Sequence, residues 1–207
     1  MGYGSFTELK KDNVEEHDFK ISSIVQPSHI LILAIHGGGI EPGCSELAYK
    51  TAELGSCSLY CLEGVKSKGN YDLHIDSTLF DEPSALNICK QNSYTLSYHG
   101  YEENYKKMTL VGGRDFSLRE KVYEALISAG FQAEIMPDSS PLAGIHPDNI
   151  VNKNKRGMGV QLEISTVQRN AFFEKNTRIG RQHTQTEEFQ KYVRAVFDAI
   201  KGATGTK

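Results

Sequence analysis

The sequence predicts an α/β fold, a three-layer α/β/α domain built around an open, mixed and mostly parallel sheet. Three observations carry that expectation. Short apolar strands alternate with helices along the chain. The run His29–Ile35, His-Ile-Leu-Ile-Leu-Ala-Ile, is continuously apolar and rich in β-branched residues, which marks a strand buried on both faces. A length of 207 residues suits a single domain with a full core, whereas two halves would each be poorly buried, so 1–207 reads as one domain.

The elements follow in order. Residues 1–20 read as a polar leading segment, and the strand at 29–35 then stops at His36-Gly37-Gly38-Gly39. Residues 45–54 read as a helix, with Leu47, Thr51 and Leu54 at helical spacing and Ser45 as its N-cap. A second strand at 58–62 closes at Glu63-Gly64, and helical character returns at 83–91. The third strand, 94–98, ends in His99-Gly100, and the fourth, 108–111, ends in Gly112-Gly113. An amphipathic helix spans 116–129 with Gly130 at its C-terminal cap, followed by a fifth strand at 131–136. A long loop leads to a sixth strand at 160–164, and Thr184-Gln-Thr-Glu187 is a capping-box pattern that opens a final helix to about Lys201.

Composition narrows the function classes. Net charge is −3 and hydrophobic residues make up 39%, which is ordinary for a soluble protein and lacks the basic footprint of a nucleic-acid binder. The lysine-rich stretch Lys153–Arg156 reads as a solvated loop. No apolar run approaches the ~20 residues of a membrane span, and the first residues lack a signal-peptide core. The expectation is cytoplasmic synthesis, with release by cell lysis left open, and a monomer as the default. Met1-Gly2 is a weak myristoylation hint, since position six is Phe. Cys44, Cys57, Cys61 and Cys89 invite a disulfide reading, but burial as small core residues fits Cys57 and Cys61 in a strand better.

The chemistry gathers at strand ends, where open α/β sheets carry their sites. His36 and Glu41 follow the first strand, His99 the third, and Glu163 lies in the sixth. On a helix, residues five apart point about 140° away from each other. His36 and Glu41 therefore need the glycine run between them, which permits a tight return of the chain. Two histidines and a carboxylate form a zinc set with a position left for water. Glu163, an acid inside the apolar Gln161-Leu-Glu-Ile-Ser165, is a proton acceptor outside that set, or the partner of a buried arginine. His-Gly-Gly-Gly also matches an esterase oxyanion loop, but no Gly-x-Ser-x-Gly elbow accompanies it. Spacing alone leaves a metal site and structural hydrogen-bonded histidines side by side. His74 and Asp76 alternate on one face of an expected strand, as a second metal pair, outer support or structural polar pair, while His146, His17 and His183 read as structural or surface residues.

Five segments carry a family resemblance: His36-Gly-Gly-Gly-Ile-Glu41-Pro, Ser97-Tyr-His99-Gly-Tyr, Leu110-Val-Gly-Gly113, Pro147-Asp-Asn-Ile-Val-Asn152 and Gly159-Val-Gln-Leu-Glu-Ile-Ser165. In this order the chain resembles the phage and Bacillus poly-γ-glutamate hydrolase family, some of whose relatives are described as phage-related replication proteins. The resemblance runs from about residue 20 to the C-terminal helix. It implies a zinc carboxypeptidase-like fold, one zinc ion held by His36, Glu41 and His99, Glu163 as general base and later acid, and cleavage of γ-glutamyl amide bonds. A zinc amidase or carboxypeptidase acting on another acyl substrate is the neighbouring reading, and a non-catalytic phage-associated binding protein is the distant one. Poly-γ-glutamate is a polyanion, so local cations are expected to receive it. Arg114, Arg156 and Arg169 are the candidates, with Asn149 and Asn152 as hydrogen-bonding partners or loop formers.

Overall fold

The structure is a computed structural model that describes residues 2–204. Seven strands form one open sheet: β1 (Phe19–Ile24), β2 (Ile30–Gly38), β3 (Ser58–Gly64), β4 (Tyr94–Tyr101), β5 (Thr109–Gly112), β6 (Ala133–Ile135) and β7 (Val160–Ser165). Their spatial order is β1-β3-β2-β4-β7-β5-β6. β3, β2, β4 and β7 run parallel at the centre. β1 joins β3 antiparallel, β5 joins β7 antiparallel, and β6 lies parallel to β5. The sheet is thus mixed and mostly parallel, as the alternation of elements predicts.

β2 is buried at every position because both of its faces are covered. Ile30, Ile32 and Ala34 pack into a core shared with α2 (Cys44–Gly55), α4 (Phe116–Ser128) and α7 (Glu187–Thr204). Leu31, Leu33 and Ile35 face a second core, shared with α1 (Phe6–Asp12) and α3 (Pro83–Gln91). Period-two alternation on a strand therefore feeds two helical layers, each buried Leu or Ile contributing ~1.5–3 kcal/mol. The four cysteines are buried and free.

Local differences from the sequence reading have identifiable causes. The leading segment holds α1 and the first two residues of β1, an edge strand that buries Phe19 alone and leaves its other side chains partly or fully exposed. Two further short helices, α5 (Thr166–Ala171) and α6 (Arg178–His183), lie between β7 and α7. Ser45 does not cap α2: the helix begins at Cys44 after Gly43, and Ser45 Oγ accepts the Gly38 N–H at 3.1 Å. Thr186 rather than Thr184 serves the start of α7, its hydroxyl accepting the Phe189 N–H. Residues 74–76 are not a strand; His74 closes a 3₁₀ turn at Asn70–Leu73.

α6 contributes a buried ion pair. Arg181 Nε meets Glu46 Oε1 at 2.7 Å, and Arg181 also donates to the Gly38 carbonyl at 2.8 Å. The pair ties α6 to α2 and to the end of β2. Arg181→Ala would leave Glu46 as an uncompensated buried charge, a loss of about 3–5 kcal/mol. Urea unfolding of the variant should show it, and Arg181→Met combined with Glu46→Leu should recover most of it. A double variant as unstable as Arg181→Ala would refute the charge argument.

Candidate metal centre

Sequence and register together place the central residues. In β4, Leu96 and Tyr98 face the α2–α7 core. Ser97 and His99 therefore face the opposite side. β7 repeats the pattern, with Leu162 and Ile164 in that core and Gln161 and Glu163 opposite. The register pairs Ser97 with Gln161 and His99 with Glu163, so four polar residues form a patch on two neighbouring strands.

His36 reaches that patch through a break in its strand. Alternation would put it with Ala34 in the α2–α7 core. Between β2 and β3 the register shifts, Ala34 pairing with Cys61 and Gly37 with Glu63. β2 spends one extra residue there, a bulge that turns His36 to the face of His99. The chain then doubles back as the glycine run predicts. Gly38 adopts φ +65, where a Cβ would lie 2.4 Å from the Gly64 carbonyl oxygen. The Glu41 N–H closes the loop by donating to the His36 carbonyl at 2.9 Å.

Three donor atoms converge as a result. His36 Nδ1 lies 2.9 Å from Glu41 Oε1 and 3.1 Å from His99 Nδ1, and His99 Nδ1 is 3.7 Å from Glu41 Oε2. The far side of each histidine is engaged: His36 Nε2 donates to the Ile75 carbonyl at 2.7 Å, and His99 Nε2 is hydrogen-bonded to Ser97 Oγ at 2.7 Å. Glu41 Oε2 accepts the Gly100 N–H at 2.8 Å. With its Nε2–H given to the Ile75 carbonyl, neutral His36 aims its Nδ1 lone pair at this point, and the His99 tautomer with its Nε2–H on Ser97 Oγ aims a second there, where a cation or a proton would hold the two together. A tetrahedral zinc with bonds of ~2.0–2.1 Å spaces its ligand atoms ~3.3 Å apart, so the donor set fits the ion. Metal-ligating histidines generally have their outer nitrogens engaged in this way.

A fourth nitrogen, His74 Nε2, lies 3.7 Å from Glu41 Oε1, its ring stacked on His36 at 3.9 Å between centroids. It also forms a metal-capable group with His36 and Glu41. His99 and His74 are therefore both candidates for a third ligand: His99 is buried and hydrogen-bonded to Ser97 Oγ, whereas His74 is partly exposed at the cleft wall.

The electrostatics follow from burial and charge. Burial pushes the Glu41 carboxyl up, but the charge and hydrogen bond of His36, the His99 ring and the Gly100 N–H outweigh it and hold the group at about 2. Burial lowers His36, yet Glu41 and the bond to Ile75 leave it above its ordinary value. Burial and the neighbouring His36 depress His99 to about 3 and His74 to about 4. Burial and the Glu41 charge raise Glu163 well above the usual carboxylate range, against the pull of Gln161 and Arg169.

These groups lie in a cleft of about 710 Å³ at the carboxyl ends of β2, β4 and β7, walled by Tyr71, Asp76, Tyr101, Glu102 and the 140–149 loop. Of the substrate candidates, Asn149 and Arg169 line it, while Arg114, Asn152 and Arg156 do not. Arg169 is largely occupied: it donates to the Ile164 and Pro42 carbonyls at 3.0 and 2.8 Å, and its guanidinium fills the space beside Gly100. Arg156 is paired with Asp115 at 2.6 Å and lies over the Tyr94 ring. Asn152 holds the Gly144 and His146 carbonyls and the Gly159 N–H, so it shapes the loop. Arg114 is exposed just ahead of α4. Of the three arginines, Arg169 borders the cleft with donors given to backbone carbonyls, whereas Arg114 and Arg156 lie outside its lining. Sequence reasoning gave no close role to Gln161, and it passed over Ile75 and Ser97, which act through backbone or as neighbours two residues along.

Known proteins bear the same stamp. The profile of the poly-gamma-glutamate hydrolase family matches residues 3–195. The SPbeta prophage-derived protein YoqZ of Bacillus subtilis (strain 168) is 45% identical over 191 residues, covering 92% of this chain and 68% of the relative. A bacteriophage poly-gamma-glutamate hydrolase structure superposes with a TM-score of 0.94 at 37% identity, covering 99% of each chain. A zinc-free structure of YndL superposes at 0.93 with 39% identity, covering 97% of this chain and 98% of that one. With a family match over nearly the whole chain and a relative 45% identical, this chain belongs to the poly-gamma-glutamate hydrolase family.

Proposed function

We propose that the chain is a single zinc hydrolase domain that cleaves γ-glutamyl amide bonds of poly-γ-glutamate, with one ion held by His36, Glu41 and His99. The observation that carries this reading is the convergence of two Nδ1 atoms and a carboxylate in a cleft, with Glu163 on the strand beside His99. Zinc at such a donor set supplies Lewis acidity, lowering the pKa of water towards ~7 and polarising an amide carbonyl.

The side chains do the remaining work. Glu163 accepts the proton of the attacking water and delivers it to the leaving amine, so it needs a position near the metal without ligating it. Its raised pKa in the metal-free site suits that acid–base traffic, because the group holds a proton readily; a cation beside Glu41 offsets the repulsion between the two carboxylates. Hydroxyls of Ser77, Ser140 and Tyr101 line the cleft and receive substrate carboxylates in place of an arginine fork. Burial pushes the Tyr101 hydroxyl above its ordinary value, so it stays protonated and able to donate.

Zinc-loaded protein incubated with poly-γ-glutamate should shorten the polymer on a gel and release new amino ends, while an α-linked polyglutamate stays intact. Zinc-loaded protein that leaves both the polymer and short γ-glutamyl amides whole would refute the reading.

A further inference from the structure

We propose that Asn149 and Gln161 form a positioning relay that fixes the orientation of Glu163 and keeps one of its oxygens free for proton transfer. The inference rests on the reading of Glu163 as the base and goes beyond it. All three residues are buried, and Asn149 and Gln161 carry no role in the ligand set.

The relay can be read bond by bond. Asn149 Oδ1 accepts the Val151 N–H at 3.1 Å at the start of a 3₁₀ turn. That fixes the Asn149 amide, so its Nδ2 is the atom that donates to Gln161 Oε1 at 2.8 Å. With its carbonyl taken, Gln161 can present only its NH₂ to Glu163, and Gln161 Nε2 donates to Glu163 Oε1 at 2.9 Å. A backbone N–H thus sets the direction of two side-chain amides in turn. The donor favours the carboxylate over the acid and holds Oε1, leaving Oε2 as the proton-accepting atom.

The neighbouring strand repeats the device. Ser97 engages His99 two residues further along β4, in register with the step from Gln161 to Glu163 on β7. A side chain at i and its orienting partner at i−2 share one face of a strand, so each strand carries its own support. On β4 the supported group is a ligand, and on β7 it is the base.

Two variants test the relay, with Glu163→Gln measured beside them. Gln161→Leu removes the donor. Asn149→Asp is isosteric, keeps the bond from Val151 and sets an oxygen against Gln161 Oε1, so the amide turns over and presents its carbonyl to Glu163. Loss of an outer-shell partner of this kind costs about 10–100-fold in activity. The expected result is a kcat lowered by about that factor in both variants, with KM and zinc affinity near wild type. The double variant should be no slower than Gln161→Leu alone, because position 149 acts through the Gln161 amide. Wild-type kcat in Asn149→Asp, losses that multiply in the double variant, or a raised KM at unchanged kcat would each overturn the relay while Glu163→Gln remains inactive. Asn149→Asp alone decides the matter if Gln161→Leu does not fold. An active Glu163→Gln would instead overturn the base reading, and the relay with it.

Discussion

Replacing Glu163 with glutamine is expected to lower kcat on poly-γ-glutamate by about 10²–10⁴-fold while zinc binding is retained. The change is nearly isosteric, and the Gln161 Nε2–H that now donates to Glu163 Oε1 would donate equally well to an amide carbonyl. What disappears is the basic oxygen that accepts a proton from water and returns it to the leaving amine. Position 163 lies outside the proposed ligand set, so the metal content per chain should match wild type. Metal analysis and steady-state kinetics on one preparation separate the two effects. A variant that keeps more than about a tenth of wild-type kcat would remove Glu163 from the mechanism.

The same substitution has a second, opposite signature in metal-free protein. Glu163 ionises far more readily in the unfolded chain than in its buried site, where burial and Glu41 raise its pKa. Across the window between those two values the unfolded state binds fewer protons, so stability falls as pH rises. Glutamine carries no such charge. Metal-free Glu163→Gln should therefore unfold at a higher temperature than metal-free wild type at neutral pH, and the gap should close below the ordinary Glu range. A carboxyl buried beside another carboxylate at a cost in stability behaves in this way.

How much of this was legible in the sequence depended on how local each signal is. The central strand could be read because both faces of β2 are buried, which makes its residues apolar without interruption. The edge strand β1 could not, because only Phe19 is buried and Ser22 and Ser23 break the pattern. The antiparallel run of β5 also escaped, since four residues, Thr109–Gly112, hold no mark of direction. α5 and α6 have six residues each, too few for a helical period to repeat.

The candidate site divides along the same line. The return of Glu41 to His36 was legible because Gly37-Gly38-Gly39 permits a tight turn of the chain after a buried strand. The bulge that turns His36 towards His99 was not, since one extra residue leaves no trace in composition. The stacking of His74 on His36 was not legible because the two lie 38 positions apart and His74 sits in a segment without periodicity. The partners of the arginines were not legible because closeness in sequence to a site loop says nothing of direction: Arg156 turns to Asp115, and Arg169, at the cleft, to the Ile164 and Pro42 carbonyls. Neutral donors at the cleft wall, such as Ser77 and Ser140, have no sequence signature of any kind.

Replacing His99 with alanine is expected to abolish zinc binding and with it all measurable hydrolysis. The His99 Nδ1 closes the donor triangle with His36 Nδ1 and Glu41, and two remaining donors do not make the three-ligand site that zinc catalysis requires. The effect should exceed the about 10–100-fold loss of metal affinity expected when only an outer hydrogen bond is removed, as in Ser97→Ala. His74→Ala provides the contrast. If His99 is the third ligand, the His74 variant keeps its zinc, and if His74 is the ligand the two results exchange places. Acidity should act on the same affinity. His36 is held above its ordinary pKa by Glu41, so below that raised value a proton occupies the nitrogen that zinc needs. Affinity should therefore climb as pH rises through the His36 transition and level off above it, while His99, depressed to about 3, adds no step near neutrality. Titrations against a competing chelator at several pH values measure the slope. A wild-type affinity that is flat with pH, or a His99→Ala protein that still holds one zinc per chain, would mean that the ion sits elsewhere in the cleft.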